Sequence, residues 1–367
     1  MRIGIDYRPV TAAPYSGIAR QVLALEQALL ESGVGEVVRF TAAPAGHPHR
    51  RSCVCSPREV ATTGLHRPRE RLSFELGFLP GAIKREGISL YIATANAGLP
   101  WPRPSTLRKQ VVLVHDLFQL TLPGRYASAL HRLVYGLMDR ALIGHAVRAA
   151  DRIWTPSRFS GREISWFFPR QAHKIQVLPN AVPALAPAQM EGLPVLPARF
   201  WLVVGTREPR KNIAMLLQQW HAVRSAGEQL PELVLVGDRG DVPAQWAGLP
   251  GVHWMGGITD AQLSALYHRA ERLLHPAYAE GFGLPVIEAM RCGTPVAAAT
   301  GSALDELLPA QALRFDPYNA AQIQAALRKA AAGRLPEEQA AVLQQHAQRF
   351  DTAHYQAQVR HLLDELA

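Results

Sequence analysis

The sequence of 367 residues has few cysteines and no long hydrophobic segment. Its three cysteines, Cys53, Cys55 and Cys292, do not suggest a disulfide framework, and a single Cys-x-Cys pair is weak evidence for a metal site. No apolar run reaches the ~18 residues expected of a membrane-spanning helix. The opening stretch MRIGIDYRPV has the pattern of a buried strand and not that of a signal peptide. These features favour a cytoplasmic protein.

Acidic residues are scarce in the first half of the chain. Residues 1–180 contain 24 Lys and Arg against 12 Asp and Glu, whereas residues 181–367 contain 15 against 18. The basic half should attract an anionic partner such as nucleic acid, anionic lipid or a phosphate-bearing acceptor, unless it is only a soluble basic surface. Six arginines fall between His47 and Arg71, in a segment with little periodicity. We predict a mobile loop there, which either touches an acceptor or membrane or is a solvated insert.

Apolar strand-like runs alternate with helical stretches, which predicts a parallel α/β architecture. The predicted strands of the first half are Ile3–Asp6, Val111–His115, Arg152–Pro156 and Ile175–Leu178, with a helix from about Ile18 to Leu30. The pattern restarts at Phe200–Gly205 and recurs at Leu233–Val236, Val252–Met255, Arg272–His275 and Pro295–Ala298. We therefore predict two Rossmann-like domains, at 1–180 and 199–350, with their parallel sheets facing a central cleft. Residues 181–198, rich in Pro and Ala, are typical of a linker, and the helix within 351–367 is expected to pack back on the first domain.

The stretch EGFGLPVIEAM, residues 280–290, places two glycines before a proline and one carboxylate at each side. Since proline is favoured in the first turn of a helix, a helix should begin near Leu284. Glycines before a helix N-terminus let backbone N–H groups approach an anion, most often phosphate. Glu280 and Glu288 would repel that anion, so they are better suited to accept hydrogen bonds from hydroxyl groups on either side of it. This pattern suits a nucleotide-activated sugar, and the alternative is a helix cap with two solvated glutamates.

Three further motifs follow predicted strands. The turn Val204–Asn212 (VGTREPRKN) carries Arg207, Arg210 and Lys211 at a strand's carboxyl end, where open α/β sheets bind ligands. Cations there would stabilise a departing pyrophosphate, although a basic turn by itself can be purely structural. Gly17, in PYSGIA, forms a weaker glycine turn before a helix. His115 ends a buried strand and is either a core histidine or an active-site residue.

Taken together, these motifs resemble glycosyltransferase family 4. The resemblance covers nearly the whole chain and includes MRIGIDYRP with SGIAR, the VHD strand end, TPSRFS, LPNAV, GTREPRKN, and EGFGLPVIEAM followed by GTPV. One departure is visible, because Phe350-Asp351 stands where the family often has a tryptophan near the start of the last helix. The resemblance implies the GT-B fold and retaining sugar transfer without a bound metal or other cofactor. We find no Asp-x-Asp pair placed like the metal site of the other large transferase fold, so positive side chains would replace the cation.

The resemblance also implies residue roles. Glu280 would contact the hydroxyls of the donor sugar, Glu288 would bind the ribose, and His115 would line the sugar site. Arg210 and Lys211 would hold the pyrophosphate. The remaining donor-binding residues would be Gly17, Gly205, Arg207, Gly281, Phe282, Gly283 and Leu284.

The expected function is transfer of a hexose or deoxyhexose, mannose or rhamnose from a GDP-sugar, onto a lipid-linked saccharide in O-antigen or other polysaccharide assembly. The expected partners are the nucleotide-sugar donor, that acceptor and an anionic membrane surface, and the expected location is the inner face of the cytoplasmic membrane. The alternatives are a UDP-sugar donor and, within the same fold, a sugar-nucleotide epimerase. Nucleic acid is not an expected partner, because no helix-turn-helix, zinc or aromatic RNA-binding signature is present.

Overall fold

The computed structural model describes residues 1–50, 52–60, 67–122, 129–240, 242–331, 333 and 336–366. The chain forms two compact units, residues 1–181 with 352–367 and residues 182–351. No helix in these described ranges is long and apolar enough to cross a membrane.

The first unit is built on a seven-stranded sheet with the order β3-β2-β1-β4-β5-β6-β7, and its strands pair in parallel. The strands are β1 (Arg2–Asp6), β2 (Glu36–Thr41), β3 (Cys53–Cys55), β4 (Leu90–Ala93), β5 (Lys109–Leu113), β6 (Arg152–Thr155) and β7 (Ile175–Val177). The helices are α1 (Arg8–Ala12), α2 (Gly17–Glu31), α3 (Pro68–Leu72), α4 (Leu79–Arg85), α5 (Phe118–Thr121), α6 (Ala129–Ala149) and α7 (Arg158–Phe167).

The second unit contains a six-stranded parallel sheet with the order β10-β9-β8-β11-β12-β13. Its strands are β8 (Phe200–Val204), β9 (Glu232–Val236), β10 (Val252–Met255), β11 (Arg272–His275), β12 (Val296–Ala299) and β13 (Leu313–Phe315). Its helices are α8 (Ile213–Ser225), α9 (Ala244–Ala247), α10 (Asp260–Arg269), α11 (Leu284–Arg291), α12 (Leu304–Leu307), α13 (Ala320–Ala330) and α14 (Glu337–Gln348). Helix α15 (Thr352–Asp364) belongs to the first unit, where it packs against α2.

Both sheets reverse their strand order at one point. The reversal lies between β1 and β4 in the first unit and between β8 and β11 in the second. In open α/β sheets the loops that follow the carboxyl ends of such strands form the ligand-binding crevice. The residues that follow β8 and β11 therefore form the expected ligand-binding edge of the second unit, and those that follow β1 and β4 form that of the first unit.

The predicted α/β architecture with two parallel sheets is confirmed. The strands are recognisable in the sequence as apolar runs because the strands of a parallel sheet are buried on both faces. Phe200–Val203 of β8, for example, are all at most 1% exposed. The predicted start of a helix near Leu284 is also confirmed, with Pro285 in its first turn. Strands β2, β3, β4 and β13 fall outside the sequence predictions.

Parts of the segment between His47 and Arg71, where a mobile loop is predicted, form regular structure instead, and the mobility of the rest stays a prediction. Cys53–Cys55 form the edge strand β3 on β2, and α3 begins at Pro68. A strand of three residues depends on its pairing partner, which is why the local pattern did not show it. Arg51 and residues 61–66 lie outside the described residues. Three of the segment's arginines are ion-paired, in the pairs Arg50–Glu59, Arg58–Glu70 and Arg71–Asp139.

Candidate functional site

The reversal point of the second sheet brings a buried carboxylate and two cations together. Glu280 follows β11, and its Oε1 lies 3.0 Å from Arg210 Nη1 and 3.1 Å from His275 Nε2. Lys211 Nζ donates a hydrogen bond to the same oxygen. The Glu280 residue is only 6% exposed. A charge removed from water to this extent needs opposite charges and hydrogen bonds around it, and these three side chains supply them.

The charge of Glu280 is maintained by its neighbours. Burial by itself would raise the pKa of Glu280, but the positive charges of Lys211 and Arg210 and the hydrogen bond from His275 hold that pKa well below its usual value. Burial also lowers the pKa of His275. The imidazole is therefore neutral, and its Nε2–H donates to the ionised Glu280. The result is a charged cluster with two cations around one anion at the carboxyl edge of the sheet.

The two cations come from a single turn of 3₁₀-helix, Pro209–Lys211, after β8. Arg210 also donates to the Ala279 carbonyl at 2.8 Å and pairs with Glu208 at 2.8 Å, so its guanidinium connects the loop after β8 to the loop after β11. Gly205 has φ +80°, and a Cβ there would lie 3.7 Å from the Lys211 side chain. Since positive φ strains most other residues, glycine suits this position.

Arg207, the third member of the predicted basic group, lies in the same turn after β8. Its side chain is exposed, and it takes no part in the ion pairs around Glu280. Within the described residues, the structure therefore places Arg210 and Lys211 at Glu280 and leaves Arg207 at the surface of the same turn.

The glycine loop between Glu280 and α11 is shaped by packing as well as by backbone conformation. Gly283 is the N-cap of α11 with φ +96°, and a Cβ there would come within 2.6 Å of the Leu304 side chain. Phe282 is 4% exposed and packs edge-on against Phe350 at a centroid distance of 5.6 Å. Gly281 is also buried, and Leu284 is half-buried at the first position of α11. A side chain at Gly283 would therefore strain the backbone and require the Leu304 side chain to shift.

Glu288 lies on the second turn of α11 and is 6% exposed. Its Oε2 accepts a hydrogen bond of 2.7 Å from the Tyr267 hydroxyl on α10. The second carboxylate of the motif thus contributes to the packing between α10 and α11, and a role in ribose binding stays a prediction.

In the first unit, His115 follows β5 and is buried. Its Nε2 donates to the Thr94 carbonyl at 2.9 Å, and its backbone N–H donates to Asn96 Oδ1 at 2.7 Å. Burial lowers the pKa of His115, so the ring is neutral. Gly17 lies on the exposed first position of α2, whose N-cap Ser16 accepts from the Ala19 N–H at 3.1 Å.

A cavity of about 280 Å³ lies in the first unit where its strand order reverses. Arg8 reaches into it between two carboxylates, 2.7 Å from Asp6 and 3.4 Å from Glu75. Asn96 is another of its lining residues and adopts φ +57°, a conformation in which asparagine is favoured over most residues. The cavity is therefore lined by hydrogen-bonding groups of both charges, which suits a polyhydroxylated ligand.

Sequence reasoning missed His275, Asn96 and the Asp6–Arg8–Glu75 group. His275 carried a usable signal, because it is a polar residue at the end of a buried strand, as His115 is. Asn96 and Glu75 carried none, since only their tertiary contacts set them apart. Within the described residues, no group of three or more His, Cys, Asp or Glu side chains is placed to hold a metal ion.

The two halves of the chain match two family models. Residues 15–184 match the model described as Glycosyltransferase Family 4, and residues 198–332 match Glycosyl transferases group 1.

Among curated proteins, the chain is 31% identical over 237 residues to O-antigen chain mannosyltransferase B of Escherichia coli, covering 60% of this chain and 61% of that protein. It is 26% identical over 229 residues to O-antigen chain mannosyltransferase RfbU of Salmonella typhimurium, again covering 60% and 61%. These alignments thus span less than two thirds of either relative.

Solved structures show the fold. Sucrose-phosphate synthase from Thermosynechococcus elongatus superposes with a TM-score of 0.74 at 19% identity, over 100% of this chain and 99% of that one. WaaG, a glycosyltransferase involved in lipopolysaccharide biosynthesis, superposes with a TM-score of 0.67 at 16% identity, over 99% of both chains. The fold is of the GT-B type, with two parallel-sheet α/β domains.

Proposed function

Since the chain belongs to glycosyltransferase family 4, we propose that it transfers a hexose or deoxyhexose from a nucleotide diphospho-sugar to a saccharide acceptor. The best supported donor is GDP-mannose, with GDP-rhamnose as the deoxyhexose candidate. The support is that the curated relatives O-antigen chain mannosyltransferase B and RfbU are both named as mannosyltransferases of the O-antigen chain. The proposed acceptor is a lipid-linked saccharide of cell-surface polysaccharide assembly.

The observation that carries this proposal is the cluster of Glu280, Arg210 and Lys211. A diphosphate gains negative charge as its bond to the anomeric carbon breaks, while the sugar becomes cation-like. Fixed cations stabilise the first of these charges, and a fixed carboxylate stabilises the second. Because the cluster is buried and hydrogen-bonded, its charges are held in place before the reaction and need little rearrangement during it.

In this proposal Arg210 and Lys211 hold the diphosphate, and Glu280 faces the donor sugar. The proposed reaction is retaining. It is also independent of metal in this proposal, because the two cations occupy the role that a divalent ion has in other transferases. Gly205 and residues 281–284 line the donor, Glu288 binds the ribose, and Arg207 is a peripheral helper. Gly17 and His115 are also proposed to contact the donor, at its phosphates and its sugar respectively.

The acceptor is assigned to the first unit. Its cavity beside Arg8 offers carboxylate and amide groups, which can bind sugar hydroxyls without demanding a charged ligand.

Membrane attachment is proposed through the exposed apolar residues of α6, Leu133, Val134 and Leu137, which are 61%, 45% and 57% exposed. Basic residues elsewhere in this unit would add electrostatic attraction to anionic lipid. In this proposal the protein acts at the inner face of the cytoplasmic membrane.

The test is a transfer assay with purified protein, a lipid-linked saccharide acceptor and GDP-mannose, GDP-rhamnose or UDP-glucose. The product's anomeric configuration is read by nuclear magnetic resonance. We expect transfer from a GDP-sugar, retained configuration and full activity in EDTA. Consumption of donor without acceptor would indicate the epimerase alternative. Activity with a UDP-sugar and with neither GDP-sugar would show that the donor is a UDP-sugar. An absolute need for added Mg²⁺ or Mn²⁺ would contradict the metal-free proposal.

A further inference from the structure

The second unit contains a cavity at the amino edge of its sheet, away from the edge that holds Glu280. Its volume is about 300 Å³. Residues at the beginnings of three neighbouring strands line it, Arg272 of β11, Val296 of β12 and Leu313 of β13. Residues of α13 and α14, including Lys329 and Leu343, complete the wall. We call this space the Arg272 cavity.

Arg272 is the most deeply buried arginine among the described residues. It is 6% exposed, its Nε is buried without a hydrogen-bond partner, and its guanidinium makes no hydrogen bond or ion pair with any described residue. The adjacent Glu271 pairs instead with Arg199 at 2.7 Å. By contrast, Arg8 lies 2.7 Å from a carboxylate and Arg210 lies 3.0 Å from one.

An unpaired charge in this position is unfavourable. Burial lowers the pKa of Arg272, and the nearby charge of Glu271 only partly opposes this effect. Because a buried cation without a partner is strongly destabilising relative to a paired one, an anion that reaches the guanidinium gains both the electrostatic attraction and the hydrogen bond that Nε lacks.

The rest of the lining defines the kind of anion. Lys329 adds a second cation, and the side chains of Gln311 and Gln339 add hydrogen-bonding amides. The other lining side chains are mainly apolar, including Val296 and Leu343, and none of the described lining residues is acidic. This combination suits a compact anionic group attached to a short apolar body.

We propose that the Arg272 cavity binds a small organic anion, whose carboxylate or phosphate is held by Arg272 and whose apolar body lies against Val296 and Leu343. This site is separate from the donor site and does not depend on the proposed sugar transfer. The carboxylate and phosphate forms share the same chemistry, an anionic oxygen group that accepts hydrogen bonds from a guanidinium.

Isothermal titration calorimetry with four probes tests the proposal: hexanoate, hexyl phosphate, inorganic phosphate and neutral hexanol. We expect one or both of the hexyl anions to bind the wild-type protein more tightly than inorganic phosphate and hexanol do. The preference between hexanoate and hexyl phosphate identifies the group that the site selects. Arg272→Met should bind the preferred anion about 10- to 100-fold more weakly, since it removes a charged hydrogen-bonding partner.

Two controls locate the binding. Lys211→Ala should bind the preferred anion as the wild type does, because Lys211 belongs to the donor site. Arg360→Gln, an exposed arginine on α15, controls for the loss of one positive charge. Should Arg272→Met not fold, Lys329→Gln serves in its place and should weaken binding several-fold. Equal affinity of the wild type and the cavity variant, equal binding of hexanol, or no binding of either anion would overturn the proposal.

Discussion

Replacement of Lys211 by alanine is the most direct test of the charged cluster in the second unit. The change removes one of the three side chains that ion-pair or hydrogen-bond with Glu280 Oε1. Arg210 and His275 remain, at 3.0 Å and 3.1 Å from that oxygen. Glu280 should therefore stay ionised, and the variant should fold. A change in kinetics can then be interpreted as a change at the site.

The expected size of the effect follows from the proposed role of Lys211. Its ammonium group is held in a fixed position, and its side chain is only 13% exposed, so water cannot easily replace it. Loss of one such fixed donor raises a barrier by about 2–4 kcal/mol. That range corresponds to a fall in kcat/KM of about 30- to 900-fold. Weaker donor binding should contribute to this fall through a higher KM.

The assay is steady-state transfer from GDP-mannose to a saccharide acceptor, with melting curves recorded on the same preparations. Lys84→Ala is the matched control, because Lys84 is an exposed lysine on α4 in the other unit. We expect the control to match the wild type in both measurements. Values of kcat and KM for Lys211→Ala that stay within about twofold of the wild type would remove Lys211 from the site.

The remaining predictions concern the two carboxylates Glu280 and Glu288, the buried imidazole of His275 and the membrane-binding surface. Glu280→Gln should mainly lower kcat, because it loses a charge that matters most in the transition state, whereas Glu288→Gln should mainly raise the donor KM. A normal kcat for Glu280→Gln would exclude a catalytic role of Glu280. A fall in the melting temperature of Glu288→Gln without a change in its donor KM would assign Glu288 to packing with α10. Because burial lowers the pKa of His275 below its usual 6.5, the folded state should lose stability as the pH falls through 6.5, and His275→Asn should reduce that loss. If the melting temperatures of the wild type and of His275→Asn fall by the same amount over this pH range, the lowered pKa of His275 is contradicted. Vesicle sedimentation should show binding to anionic lipid that weakens with added salt and weakens further in Leu137→Asp, and equal binding to neutral vesicles would refute the electrostatic contribution.

Much of the second unit's architecture was predictable from local sequence. Strands β8, β9, β11 and β12 are largely buried on both faces and could be located from their apolar residues without knowledge of their partners. Pro285 marked the start of α11, since proline is favoured in the first turn of a helix. The short strands β3 and β13 were not predictable, because three residues form a strand only when a neighbouring strand supplies their hydrogen bonds.

In the arginine-rich segment from His47 to Arg71, the local sequence likewise did not show which charges are paired. Its composition indicated a basic surface, but Arg50, Arg58 and Arg71 each have an acidic partner in the folded unit. A count of arginines in the sequence therefore overstates the unpaired positive charge of this segment. The pairing of Arg71 with Asp139 joins residues 68 positions apart, which no local pattern reveals.

The sequence by itself determined which residue types were available for a donor site, namely a glycine loop before a helix, two flanking carboxylates and a basic turn after a strand. Only the tertiary structure decided which of them meet. Arg210 and Lys211 reach Glu280 because β8 and β11 are neighbours in the sheet, and that adjacency comes from backbone hydrogen bonds between strands about 70 residues apart. His275 ends β11 and contacts Glu280 through the short loop that follows the same strand, and the direction of α11 turns Glu288 toward Tyr267. Local sequence preferences act over a few residues, whereas the choice of partner for each buried charge depends on long-range strand order and packing.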